Sequence, residues 1–114
     1  MSGLRSRRKG HSFEREMAIR FRDVFGDKVR RGLQSRSGEE VPDVETPMFW
    51  IECKRGKRTN PKAALKQAIS DCGNKGKIPI AICRDDREDA TVMIGLEDFI
   101  DLASEWWTLR ERHG

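Results

Sequence analysis

Long hydrophobic stretches are missing from this chain. No apolar run reaches the roughly 18 residues that a membrane-spanning helix needs, so no helical membrane anchor is expected. The N-terminal segment MSGLRSRRKGH is basic and carries no apolar stretch, so no secretory signal is expected either. Histidine is scarce, with two residues, and the three cysteines, Cys53, Cys72 and Cys83, are odd in number and far apart. That spacing argues against a zinc site. Each cysteine has apolar neighbours, the pattern of reduced core thiols in an intracellular, cytoplasmic protein. There is no internal repeat and no low-complexity segment beyond the basic N-terminus. Apolar residues make up 36% of the 114, which is enough for one domain, residues 1–114, with a modest core.

Charge, by contrast, is abundant at 37%, and it is unevenly placed. Residues 1–36 carry 11 Lys and Arg against 4 acids, and residues 54–77 carry 8 against 1. Residues 37–53 carry no base and 5 acids, and residues 78–114 carry 4 bases and 9 acids. Basic flanks suit a polyanion such as nucleic acid. An acidic island between them calls for a further partner, and a divalent cation is the natural one.

Local signals set out an order of elements. Residues 1–11 read as a flexible basic arm. Ser12 is a candidate N-cap, and a helix follows to Phe25, stopped by Gly26. Lys28–Leu33 reads as a strand and QSRSGEE as a loop. Asp43–Thr46 and Phe49–Lys54 read as paired strands turning at Pro47. After the basic loop RGKRTN, Asn60-Pro61 opens a helix with Leu65, Ala68, Ile69 and Cys72 on one face, ended by Gly73. IPIAIC has the continuous apolar character of a strand covered on both sides. ATVMI is a further strand, and Leu96–Arg110 a last helix. The order α-β-β-β-α-β-β-α implies an α/β fold, a mixed sheet flanked by helices. Adjacent Trp106 and Trp107 cannot point the same way on a helix. The apolar face of the last helix is therefore expected to serve mainly as core, with at least one of them meeting a partner subunit or another element.

The acidic island contains VPDVETPMFWIECK, residues 41–54. In a strand, Trp50, Glu52 and Lys54 share one face, and Phe49, Ile51 and Cys53 the other. Asp43 can reach Glu52 across the hairpin. Two carboxylates with an ammonium beside them suit Mg²⁺, or Mn²⁺ in its place, and hydrolysis at phosphorus. The first helix adds a carboxylate. With Phe13 at zero and about 100° per residue, Phe13, Val24, Met17, Phe21, Phe25 and Ala18 fall within about 140°, and Glu14 falls among them. An acid on that stripe is costly unless paired or bound to metal, so Glu14 is expected to join the site rather than fray into solvent.

These residues resemble a known family. PDV followed by ECK is similar to the core of the PD-(D/E)xK nucleases, the restriction-endonuclease-like fold. KGHSFERE, ahead of SRSG, PDV and ECK, resembles the archaeal-type Holliday junction resolvases, small dimeric members also found in phages; for a phage-encoded chain the place of action is the host cytoplasm. The resemblance runs from Lys9 to Cys83. It implies that Glu14, Asp43, Glu52 and Lys54 are catalytic. Asp43, Glu52, the backbone carbonyl of Cys53 and Glu14 would hold the metal, and Ser37 would lie near the site, with Ser35 as its competitor. It implies hydrolysis leaving a 5′-phosphate and a 3′-hydroxyl, four-way DNA junctions as substrate, and a homodimer. Arg7, Arg8, Lys9, Arg15, Arg30, Arg31, Arg36, Arg55, Lys57 and Arg58 are the candidate DNA contacts. After Asp43 the chain departs from the family with Glu45, Thr46 and Pro47, so Glu45 is either an extra ligand or an edge residue. Two other classes fit the composition: another PD-(D/E)xK nuclease (nicking, repair or restriction-like), and a nucleic-acid-binding module without catalysis.

Overall fold

The computed structural model describes residues 3–32 and 39–113, with side chains from residue 7 onward. Ser35, Arg36 and Ser37 lie outside the described residues. The elements are α1 (Gly3–Phe25), a 3₁₀ turn (Gly26–Lys28), β1 (Arg30–Arg31), β2 (Val44–Glu45), β3 (Phe49–Gly56), α2 (Pro61–Cys72), β4 (Ile78–Asp85), β5 (Thr91–Ile94) and α3 (Leu96–His113). The α/β order read from the sequence is the one found. The strands lie in the order β1-β2-β3-β4-β5. Of these neighbours only β3 and β4 are parallel, and α2 makes the crossover between them. The Asn60 side chain accepts from the Ala63 N–H, Pro61 occupies the first turn, and Gly73 closes the helix at φ 54°. Among the described residues no helix is long and apolar enough to cross a membrane.

Two layers cover the sheet. On one side α1 buries Phe13, Met17 and Ala18 against Val44, Ile51, Cys53, Ile80 and Ile82. On the other, α2 packs Ala64, Ala68 and Cys72 over Trp50, Ala81 and Cys83. Period-2 alternation along β3 and β4 thus feeds both layers, as continuous apolar runs require. All three cysteines are free and buried.

Several expectations are corrected. α1 starts at Gly3, not Ser12, so residues 3–11 are helix rather than a loose arm. Straight-chain Arg and Lys favour helix, and Lys9 is tied to Asp86 at 3.1 Å. Val24 is 71% exposed despite its place on the stripe, because it borders a shallow groove shared with Arg20 and Val92 instead of packing under the sheet. Ile69 is 50% exposed, since the buried row of α2 steps by four through Ala64, Ala68 and Cys72. The strand expected over Lys28–Leu33 is confined to Arg30–Arg31. Arg55 belongs to β3 rather than to the following loop. The largest departure is α3. None of its residues is buried, so its apolar face contributes nothing to the core.

Candidate active site

β3 is longer than its neighbour β2. The last paired residues are Val44 with Ile51 and Glu45 with Trp50, so the C-terminal half of β3 has an open edge. Asp43 immediately precedes β2. Its backbone N–H donates to the Ile51 carbonyl at 2.9 Å, and its Oδ2 accepts the Cys53 N–H at 2.8 Å. The carboxylate therefore takes over the ladder position that a longer β2 would have filled. Its own carbonyl accepts the Gly32 N–H at 2.9 Å. Gly32 lies so close that a Cβ there would stand 1.6 Å from the Pro42 oxygen, which leaves room for glycine alone.

Glu52, one residue before Cys53, is 4% exposed and lies on the α2 face. Burial, and then the charge of Asp43, push its carboxyl up to about 7, while Lys54 pulls the other way. The Trp50 indole N–H lies on the same face and favours the charged form of Glu52. It makes no full hydrogen bond, and its Nε1 is buried without a partner. Asp43 is also raised, by burial first, against the lowering effects of the Cys53 N–H and of Lys54. Among the described residues neither Asp43 nor Glu52 forms an ion pair, and neither does Lys54.

Glu14 approaches from α1. Its side chain is 18% exposed and pairs with the Arg31 guanidinium at 3.4 Å. Burial raises its carboxyl first, and Asp43 raises it further, against Arg31. Burial first, and then the same three acids, Asp43, Glu14 and Glu52, push up the Cys53 thiol between them. Asp43 is thus the common neighbour of the sequence-derived constellation: its charge acts on Glu14 from the α1 side and on Glu52 from the α2 side, and Lys54 acts on Asp43 and Glu52.

Crowded, desolvated carboxylates without counterions are the donor chemistry of a hard divalent cation. Among the described residues no three His, Cys, Asp or Glu side chains form a metal site by themselves. A cation at this edge would therefore lean on the backbone carbonyl of Cys53 and on water as well. Glu45, the residue with two readings, lies on β2 between β1 and β3, and its side chain pairs with Arg30 of the edge strand β1 at 3.2 Å.

The basic candidates divide into groups. Arg8, Lys9 and Arg55 line one groove between α1 and the ends of β3 and β4, together with Arg84. Lys57 and Arg58 are exposed at the β3–α2 turn, Arg15 is exposed on α1, and Arg7 is exposed one residue before Arg8. Arg31 faces the acidic cluster instead, and its Nε is buried without an acceptor. Sequence reasoning missed four participants. Arg84 holds Glu16 through two bonds of 2.9 and 3.0 Å and lies over the Phe13 ring. Asp86 bridges Lys9 and Arg55. Asp85 accepts from the Thr59 N–H at 2.8 Å and fixes the basic turn. Asp71 adds negative potential at Asp43 and Glu52. Only Asp71 had a local signal, an acid in the last turn of a helix, where the dipole disfavours it.

The family model described as "Phage putative PDDEXK endonuclease" matches residues 5–110. No curated protein and no solved structure matches the chain.

Proposed function

Because the chain belongs to this phage PDDEXK endonuclease family, we propose that it is a magnesium-dependent endonuclease resolving four-way DNA junctions, a homodimer that makes two symmetric cuts. The observation that carries the reading is the buried, unpaired Glu52 beside Asp43, with Lys54 two residues along the same strand. A module that only bound nucleic acid would gain nothing from holding two carboxylates out of water.

Asp43, Glu52 and the Cys53 carbonyl would hold Mg²⁺ or Mn²⁺, with Glu14 contributing directly or through water. The ion supplies charge neutralisation and Lewis-acid assistance at the scissile phosphate. The chain's own residues do the rest. The Cys53 N–H fixes the rotation of the Asp43 carboxylate, and Arg31 holds Glu14. Glu52 must give up its proton, which it does unaided only above about pH 7. Lys54 orients or deprotonates the attacking water and steadies the charge that builds on phosphorus. Arg8, Lys9 and Arg55, with Lys57 and Arg58 at the turn, hold flanking phosphates, and Ser37 and Arg36 belong to the same reading. Hydrolysis leaves a 5′-phosphate and a 3′-hydroxyl. Two symmetric cuts across a junction require two sites related by a two-fold axis.

The family description names an endonuclease and no junction, which favours one second reading, a nicking, repair or restriction-like enzyme on the same site. One assay separates them: cleavage of a four-way junction, a duplex and a single strand of matched sequence, in magnesium or in EDTA. Paired cuts confined to the junction and abolished by EDTA are the expected result. Equal cutting of the duplex selects the second reading, and cutting that ignores EDTA removes the metal site.

A further inference from the structure

α3 is an amphipathic helix whose apolar side is left open among the described residues. Leu96, Phe99, Ile100, Ala103, Trp106 and Trp107 fall within an arc of about 120° at 100° per residue. The five large side chains among them are 48–68% exposed. Trp106 marks one edge of this single stripe and Ile100 the other, with Trp107 just inside it; the two tryptophan ring centroids are 6.4 Å apart. Among the described residues α3 makes no extensive contact with any other element. A lone helix of this length is marginal in water, and a contiguous apolar stripe of this size marks an interface.

The stripe is built to match itself. Its midpoint is Ala103, the smallest side chain in it, which permits close approach at a two-fold axis. Antiparallel pairing about that residue sets Phe99 opposite Trp107, Ile100 opposite Trp106 and Leu96 opposite Arg110. The ends of the helix differ in charge: Glu97 and Asp98 lie in the first turn, and Arg110, Arg112 and His113, with one acid, Glu111, in the last. Parallel pairing would set like charges and like dipole ends together. Antiparallel pairing about Ala103 brings Arg110 of each helix beside the acidic first turn of the other, where Glu97 and Asp98 follow Leu96, and opposes the helix dipoles.

We infer that α3 is the self-association element of this protein, pairing antiparallel with α3 of a second copy about a two-fold axis at Ala103. The inference rests on the paired-cut reading for its purpose and on the helix alone for its geometry. The partner's active site is then held at a set distance from the first by two rigid helices, each leaving its sheet through Gly95.

Sedimentation of the full chain tests it. The wild type is expected to run at twice the chain mass, and Ala103→Glu to weaken self-association roughly a hundredfold, because two unpaired glutamates would be buried at the axis. Since no residue of α3 is buried in its own chain, this variant should melt as the wild type does when diluted to monomer, losing only the concentration-dependent stabilisation that dimerisation supplies by mass action. Mild oxidation of Ala103→Cys should give an inter-chain disulfide, whereas Glu105→Cys, on the opposite face, should not. A monomeric wild type, a dimer indifferent to Ala103→Glu, or equal cross-linking at both positions overturns the inference. Cleavage is read separately. A monomer that still cuts DNA in magnesium sinks the pairing and leaves the nuclease, and an α3-linked dimer that cuts nothing does the reverse.

Discussion

Glu52 is held where its charge is least welcome, between a buried tryptophan and Asp43. Its carboxyl lies near 7 against an ordinary value of 4.5. Between those values the native state keeps a proton that the unfolded chain has released. The contribution of this carboxyl to stability without divalent ions should therefore be full at pH 4.5 and below, fall as the pH rises, and be lost above about 7. The loss is up to about 3 kcal/mol. Glu52→Gln should flatten that pH-dependent slope, measured as urea midpoints across the range, to the remainder left by Asp43 and Glu14, and should abolish cleavage while leaving DNA binding intact. A slope unchanged in the variant would place the titration elsewhere. Glu14 is a milder case, because Arg31 offsets part of its burial across a long contact of 3.4 Å. Glu14→Gln should slow cleavage roughly ten- to a hundredfold. Melting without metal should hold or rise, and the stabilisation by magnesium should shrink. Paired melting curves read beside one rate decide it, and a variant cutting at the native rate would return Glu14 to the role of an ordinary first-helix acid.

At the level of elements, short β1 has a task out of proportion to its length. It delivers Arg31 to Glu14, and its successor Gly32 bonds the Asp43 backbone. Gly32→Ala would drive a methyl into the Pro42 carbonyl and push the Asp43 segment off β3. A cost of about 1–3 kcal/mol and a matching loss of cleavage are expected. Gly10→Ala is the control: it lies in α1 with open space around a new Cβ, and should stabilise by about 0.5–1 kcal/mol. Equal effects at the two positions would show that the close approach at Gly32 is relaxed in solution. The wheel drawn for α1 placed Glu14 correctly but misplaced Val24. A wheel records angle only, whereas burial also depends on how far along the helix the sheet extends beneath it.

For the whole molecule, the decisive quantity is how its positive charge is spent. Lys9 and Arg55 share Asp86, and Arg84 is committed to Glu16, so much of the basic groove is neutralised from within. Asp86→Asn should release two cations toward DNA and tighten duplex binding. Its salt dependence should steepen by roughly 0.9 in log K per log salt for each additional phosphate neutralised. Filter binding across a salt series measures this. An unchanged slope would mean that the groove faces away from the DNA.

Caps, breakers and periodicity are properties of short windows, so the element order and the shared face of Glu52 and Lys54 could be read along the chain. The place of Glu14 on the half-buried side of α1 could be read the same way, but its approach to Asp43 needed the packing of α1 on the sheet. The partnerships of Arg31 with Glu14 and of Asp86 with Lys9 and Arg55, the approach of Asp71 and the 1.6 Å constraint at Gly32 join residues distant in sequence; only the packed sheet brings them together. Nor could any window foretell that α3 buries none of its residues among the described residues. An amphipathic stripe demands an apolar partner, but whether that partner is the chain's own sheet or another surface depends on where β5 ends and which way Gly95 lets the helix leave.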